Sequence, residues 1–220
     1  DLGYGFNLGA LWEPAEGTRF GLTYRSQVDL EYKDLVSLKG LGPALGAIFS
    51  GQQKVDLEMY LPQAVMLSAY HDIDDKLAIV ANMGWQEWSE FGRSDIVIKD
   101  SSGSTKLTDD RDFENTWHAA IGMRYRLSRP WMVMAGVAYD SSPVDDSDRT
   151  PDMPLDRQIR YAFGLQYEHS NDLTISAAYE LLDTGDAEID QNRGPLAGEL
   201  KGDFDTNLIH FFNINASWRF

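Results

Sequence analysis

The sequence predicts an all-β chain, built as an antiparallel transmembrane β-barrel. Three observations predict it. Apolar and polar residues alternate with a period of two along nine stretches, which is the strand period because successive side chains leave opposite faces of a pleated backbone. The connections between the stretches alternate short and long, four of each, as in barrels with tight inner turns and long outer loops. The polar partners in the alternation include many charges, whereas the inward face of a soluble β-sandwich is apolar.

The last stretch, NLIHFFNINASWRF, anchors the reading. Leu208, Phe212, Ile214, Ala216, Trp218 and Phe220 share one face, broken only by His210. Asn213, Asn215, Ser217 and Arg219 hold the other, joined by Ile209 and Phe211. At the front, Leu2, Tyr4, Phe6, Leu8, Ala10 and Trp12 alternate with Gly3, Gly5, Asn7 and Gly9. Pro14 and Gly17 punctuate a turn. Phe20, Leu22, Tyr24, Val28, Leu30 and Tyr32 then oppose Arg19, Thr23, Arg25, Gln27, Asp29 and Glu31. Residues 34–54 break the pattern and read as a long loop carrying a short apolar helix. A third strand is expected over about 55–70 and a fourth over 77–86, followed by a long polar loop over about 90–114. The fifth strand sets Trp117, Ile121, Met123 and Tyr125 against His118, Arg124 and Arg126. The sixth (131–139), seventh (159–168) and eighth (173–181) repeat the alternation, with long loops over 140–157 and 183–206.

Composition narrows the function. The net charge of −16 argues against nucleic acid, whose phosphates need clustered Lys and Arg. The acidity belongs to the loops: 90–114, 140–156 and 183–205 hold twenty acidic and seven basic residues, a solvated-surface property. No cysteine is present, so there is no disulfide framework. No apolar run is long enough for a membrane helix, and the mean hydropathy of −0.37 suits strands that alternate. Six Trp and ten Tyr are residues of membrane–water interfaces.

Four stretches carry a family resemblance: YGFNLGALWEPAEGTRFGLTYRS (4–26), LPQAVMLSAYHDIDDKLAIVANMGWQEWSEF (61–91), 115–167 and the terminal strand. They include a Trp-x-x-Trp pair, the run Tyr139-Asp140-x-x-Pro143-Val144, Arg149-Thr150-Pro151 and Asp156-Arg157. The chain resembles the FadL/TodX-type outer-membrane transport porins of Gram-negative bacteria, which carry long-chain fatty acids and other hydrophobic compounds. The resemblance implies a fourteen-stranded barrel with an amino-terminal hatch. Nine strands without a hatch match its carboxy-terminal portion, expected here as one barrel domain over 1–220. The odd count agrees, since closing a bacterial barrel calls for an even number of antiparallel strands.

The implied function is passive uptake of long-chain fatty acids or other hydrophobic small molecules across the cell outer membrane. A general porin or a structural or adhesive barrel is the alternative. The expected partners are outer-membrane lipid or detergent, the cargo, and the barrel-insertion machinery, which would read the terminal strand. No enzyme activity and no cofactor are expected. His71 and His169 fall in turns, His118 and His210 on strands, and no two stand at metal-ligand spacing. Ser68 and Ser176 lack any nucleophile motif. Two sets of site residues are expected. Arg19, Arg25, Asp29, Glu31, His118, Arg124, Arg160 and Glu180 would line a polar lumen. Leu35, Leu38, Leu41, Leu45, Ile48 and Phe49 would form an apolar surface on the 34–54 loop. In the resembled family that loop helps capture substrate, while a loop that only packs on itself would carry the same residues.

Overall fold

The computed structural model describes residues 2–37, 52–91, 93–100, 103–192 and 194–219. Nine strands form one antiparallel sheet, the wall. They are β1 (Asn7–Ala15), β2 (Thr18–Arg25), β5 (Ala64–Asp72), β6 (Leu77–Gln86), β9 (Thr116–Ser128), β10 (Trp131–Asp140), β11 (Gln158–Glu168), β12 (Leu173–Asp183) and β15 (Leu208–Trp218). The order in the sheet follows the order in the chain, so each strand pairs with the next wall strand along the sequence. At the front edge, Phe6 and Ser26 exchange hydrogen bonds: the Ser26 N–H donates to the Phe6 carbonyl and the Phe6 N–H to Ser26 Oγ, both at 2.9 Å.

Register shows which residues share a face. One row runs Phe20, Ala69, Ala81, Ile121, Val137, Tyr161 and Leu181 across seven strands. It belongs to the apolar face, where Ile121, Phe163 and Ile214 are 56%, 55% and 82% exposed. Water would penalise so much uncovered apolar surface, whereas lipid favours it. Aromatic residues border this face at both ends: Trp12, Tyr125, Trp131, Tyr167 and Trp218 near the turns, and Tyr24, Trp85, Trp117 and Tyr139 near the long connections. At about 3.3 Å per residue and a tilt of about 40°, the eight-residue step from Trp117 to Tyr125 spans roughly 20 Å along the membrane normal. That is close to the height of the apolar band of an outer-membrane barrel. The polar misfit on this face, His210, is met by Tyr179, whose hydroxyl lies 2.9 Å from Nδ1.

Three expectations need correction. The expected second and third strands do not run on unbroken. They end in the wall at Arg25 and begin in it at Ala64, and the pieces beyond form β3 (Val28–Ser37) and β4 (Gln52–Leu61) of a second sheet. Pro62, which has no N–H to give a ladder, marks the break. Leu35 lies in β3, in register with Lys54, so 34–37 and 52–54 are strand and not loop. Residues 38–51, with Leu38, Leu41, Leu45, Ile48 and Phe49, fall outside the described residues. The second correction concerns 90–114. A one-turn helix, Trp88–Phe91, leads into it, and it holds a hairpin of β7 (Arg93–Asp100) and β8 (Gly103–Asp110), with the second sheet ordered β3-β4-β7-β8. Third, the 183–206 stretch contains a short hairpin, β13 (Ile189–Asn192) with β14 (Glu199–Gly202). The period of two persists in β3 and β4, where Val28, Leu30 and Tyr32 pair with Leu61, Met59 and Leu57, and it fades in the sequences of β7, β8, β13 and β14.

The glycines at the front have a packing reason. A Cβ on Gly3 would lie 2.7 Å from both Val28 Cγ1 and Leu30 Cδ2. Residues 2–6 therefore pass β3 at a distance that admits no side chain.

Among the described residues, four of the six buried apolar side chains lie away from the wall strands, Ala78 and Leu182 being the two within them. Phe113, Val144, Ala187 and Ile189 are each at most 8% exposed. They sit in the connections 111–115, 141–157 and 184–192, which join into one cap. Arg149, 2% exposed, is its centre. Its guanidinium donates to the carbonyls of Leu155 (2.6 Å), Val144 (3.1 Å) and Glu188, and to Asp146 Oδ1 at 2.5 Å. Asp156 lies 3.5 Å away and accepts from the Ala187 N–H at 3.1 Å. Arg111 donates to Asp152 at 3.1 Å, and the Glu114 N–H to the Pro143 carbonyl at 2.6 Å. Asp152 is held below the usual carboxylate range by its hydrogen bonds to Thr150 and Arg111.

Candidate functional site

The second face of the wall carries the polar residues, and two hollows lie along it. The side chains of the expected lumen residues Arg19, Arg25, His118, Arg124, Arg160 and Glu180 share its register rows. Asp29 and Glu31 do not. They stand on β3 in the second sheet, where Asp29 accepts from Gln27 at 2.7 Å and Glu31 pairs with Lys33 at 2.7 Å. Their alternation continues that of β2, but the chain leaves the wall between them at Ser26 and Gln27.

Two polar ladders cross this face. Near the turns, Arg19 pairs with Glu13 at 2.8 Å, and Arg19 and Arg124 both lie over the Tyr70 ring, 5.4 and 5.0 Å from its centroid. The Tyr70 hydroxyl donates to Asp72 at 2.5 Å and accepts from Arg124, which approaches Asp72 to 3.6 Å. Arg124 reaches across Ala78, which is buried to 1% and carries no bulk to stop it. Near the long connections, His118 bridges Asn82 (2.7 Å) and Asp140 (2.8 Å). Asp140 accepts from Arg160 at 2.5 Å, and Arg160 lies 3.8 Å from Glu180. Arg19, His118 and Arg160 thus meet partners on neighbouring strands, which register makes possible, and Arg124 reaches two strands away.

Between the ladders the face carries mostly small residues, with Val80 and Met134 as the exceptions. Gly122, Gly136, Ala162, Gly164 and Ala178 floor a hollow of about 460 Å³, bordered by Asn82, Arg124, Arg160 and Glu180. A second hollow, about 620 Å³, lies towards the long connections and is lined by Arg25, Met66, Gly84, Gln86, Thr116, His118 and Asp140. An apolar floor with a few fixed polar groups is what a small-molecule site needs. Among the described residues no group of three or more His, Asp or Glu could hold a metal ion. His71 and His169 are used locally, His71 near Thr18 Oγ1 at 2.9 Å and His169 against the Tyr167 ring.

Sequence reasoning missed the small-residue floor and Arg149. The floor had a signal, since Gly122, Gly136 and Gly164 all fall on the polar side of their strands. Arg149 had none beyond the resemblance, because its partners are brought together only by the fold.

The whole chain, residues 1–220, matches the family model described as outer membrane protein transport protein (OMPP1/FadL/TodX). It is 28% identical over 227 residues to the long-chain fatty acid transport protein of Escherichia coli O6:H1, covering 96% of this chain and 50% of that one. It is similar to the crystal structure of a Pseudomonas aeruginosa FadL homologue, with a TM-score of 0.78 at 26% identity over 97% of this chain and 52% of the other. A crystal structure of the Pseudomonas putida toluene transporter TodX shares the fold at a TM-score of 0.61 and 17% identity, with 99% and 49% covered. The chain spans about half the length of these relatives.

Proposed function

The chain belongs to the OMPP1/FadL/TodX family of outer membrane transport proteins, and from that premise we propose that it forms wall and outer cap of a passive channel for hydrophobic compounds, long-chain fatty acids among them. The observation that carries this is the pairing of two faces on one sheet: an outward face suited to lipid, and an inner face whose small-residue hollow lies between paired charges. Neutralised ladders leave few free charges to hold ions, while the small-residue floor, with Val80 and Met134 beside it, offers a hydrocarbon an apolar surface. No chemistry on the cargo is required of any residue.

The experiment is uptake of labelled oleate by cells lacking their own transporter. Expression of the protein should restore uptake. Small-ion conductance without oleate uptake would support the porin alternative instead. Two further assignments belong to this reading. Leu35, Leu38, Leu41, Leu45, Ile48 and Phe49 offer apolar area for first capture, each buried methylene contributing about 0.8 kcal/mol. Replacing Leu45 and Phe49 with Ser should weaken uptake at low oleate and leave the folded barrel's level unchanged. The terminal strand, with Phe212, Ile214 and Trp218 outward, serves as the mark for the insertion machinery. Deleting Phe220 should lower outer-membrane levels more than Arg219→Lys.

A further inference from the structure

We propose that the second sheet is a hinged lid at the mouth of the 620 Å³ hollow, and that Gln63 is the clasp that holds it shut. The inference rests on the channel function proposed above and adds to it a moving part and the residue that restrains it.

Four joints connect the second sheet to the wall, and each interrupts the strand ladder: Ser26–Gln27, Pro62–Gln63, Glu87 with the helix Trp88–Phe91, and residues 111–115. Among the described residues no strand of one sheet pairs with a strand of the other. Such element ends are where hinges form, because a few residues there can absorb a change in φ and ψ. The packing at this line is also incomplete. Ser26, Val28, Leu61, Pro62, Trp88 and Phe91 surround an apolar void of about 290 Å³. A close-packed interior holds its elements in one arrangement, whereas this void leaves β3 and β4 room to tilt against the helix. The void shares Arg25 and Gln86 with the 620 Å³ hollow, so a tilt here changes the opening of that hollow.

Side chains restrain the tilt. Gln63 Oε1 accepts from the Tyr24 hydroxyl at 2.8 Å, and its amide donates to Glu87 at 2.6 Å. One amide thus ties its own joint to the ends of β2 and β6. The joint after β8 is fastened to the cap instead, by Arg111 to Asp152 at 3.1 Å and by the Glu114 N–H to the Pro143 carbonyl. The sheet therefore swings from its β8 side and opens at β3 and β4, once Gln63 lets go.

The test uses pairs of spin labels on cysteines in the full chain in lipid vesicles. Lys33→Cys with Lys76→Cys spans β3 and a short turn of the wall. Lys33→Cys with Lys106→Cys lies in one register row of the sheet, three strand spacings or about 14 Å apart. Gln63→Ala should raise the population of a longer Lys33–Lys76 distance about tenfold, the effect of losing a charge-assisted hydrogen bond, and leave the distance within the sheet unchanged. Leu61→Phe, which adds volume to the void, should narrow the Lys33–Lys76 distribution. Uptake per folded molecule should rise with Gln63→Ala and fall with Leu61→Phe, equally for oleate and oleyl alcohol, since a lid does not read the head group. An unchanged Lys33–Lys76 distance in Gln63→Ala would overturn the lid. So would loss of the distance within the sheet, which means melting and not swinging, or a longer Lys33–Lys76 distance with unchanged uptake. Wild-type protein that takes up neither probe would overturn the channel function, and the two distances would still decide whether the sheet swings on Gln63.

Discussion

The wall and the outer cap place similar side chains in opposite settings. At mid-wall Ile121, Phe163 and Ile214 are more than half exposed, while in the cap Val144, Ala187 and Ile189 are 2%, 0% and 5% exposed. Charge is inverted too. The wall keeps Arg124 and Arg160 on an open polar face, and the cap closes over Arg149. The difference follows from the surroundings. Lipid supplies the apolar contacts of the wall, so its strands need only satisfy each other's backbone groups. The cap stands in water and must build its own interior, with a guanidinium in place of a large apolar cluster. One chain thus uses two routes to order, and each can be broken separately.

The largest effect should come from Arg149→Ala. It leaves Asp156 and several carbonyls facing a void, and removing one partner of a buried ion pair costs about 3–5 kcal/mol. The cap should become protease-sensitive within 141–157 and 184–192, while the wall still migrates as a heat-resistant barrel. Loss of the barrel as well would mean that the two regions fold as one unit. Next comes the pair Phe163→Arg and Ala162→Arg. These neighbours point to opposite faces of β11, so the first should cost about 2–4 kcal/mol at mid-membrane, and the second under 1 kcal/mol beside the polar lumen. Unfolding in lipid vesicles with denaturant reads both, and equal costs would remove the assignment of faces. A smaller loss, about 1 kcal/mol, is expected for Tyr179→Phe, which takes from His210 its hydrogen-bond partner on the lipid side.

The smallest effect is at a turn. Asp74 accepts the backbone N–H groups of Lys76 and Leu77 at 2.7 and 2.8 Å, and these hold its carboxyl below the ordinary value. Its folded pKa is the lower one. The turn's added order should therefore be complete above pH of about 4, the unfolded value, and fade as pH falls through the folded value. Hydrogen exchange at Lys76 and Leu77 should show that dependence in the wild type and lose it in Asp74→Ala.

Much of the wall is readable in the sequence because its two faces meet different solvents. Trp117, Ile121 and Met123 against His118 and Arg124 identify β9 without any structure. The hairpin β7–β8 is not readable in that way. Ile96, Val97 and Ile98 run together and Asp95 and Lys99 flank them, so no period of two marks the strand. The inner face is legible as a set, since parity alone places Arg25 and Arg160 on it. Which charges pair is not legible, because Arg160 meets Asp140 only through the β10–β11 register. The same holds for Arg149, whose contact with Glu188 spans 39 positions.

The central claim is that one face of the wall lies in lipid and the other faces a lumen. The chain has no cysteine, so single cysteines can be placed at each position from 117 to 125 on β9 and spin-labelled in vesicles. The account predicts a period of two, with oxygen accessibility peaking at 117, 119, 121, 123 and 125 and accessibility to a water-soluble nickel reagent peaking at 118, 120, 122 and 124. Nickel access at 121 and 123 equal to that at 120 and 122 would contradict it.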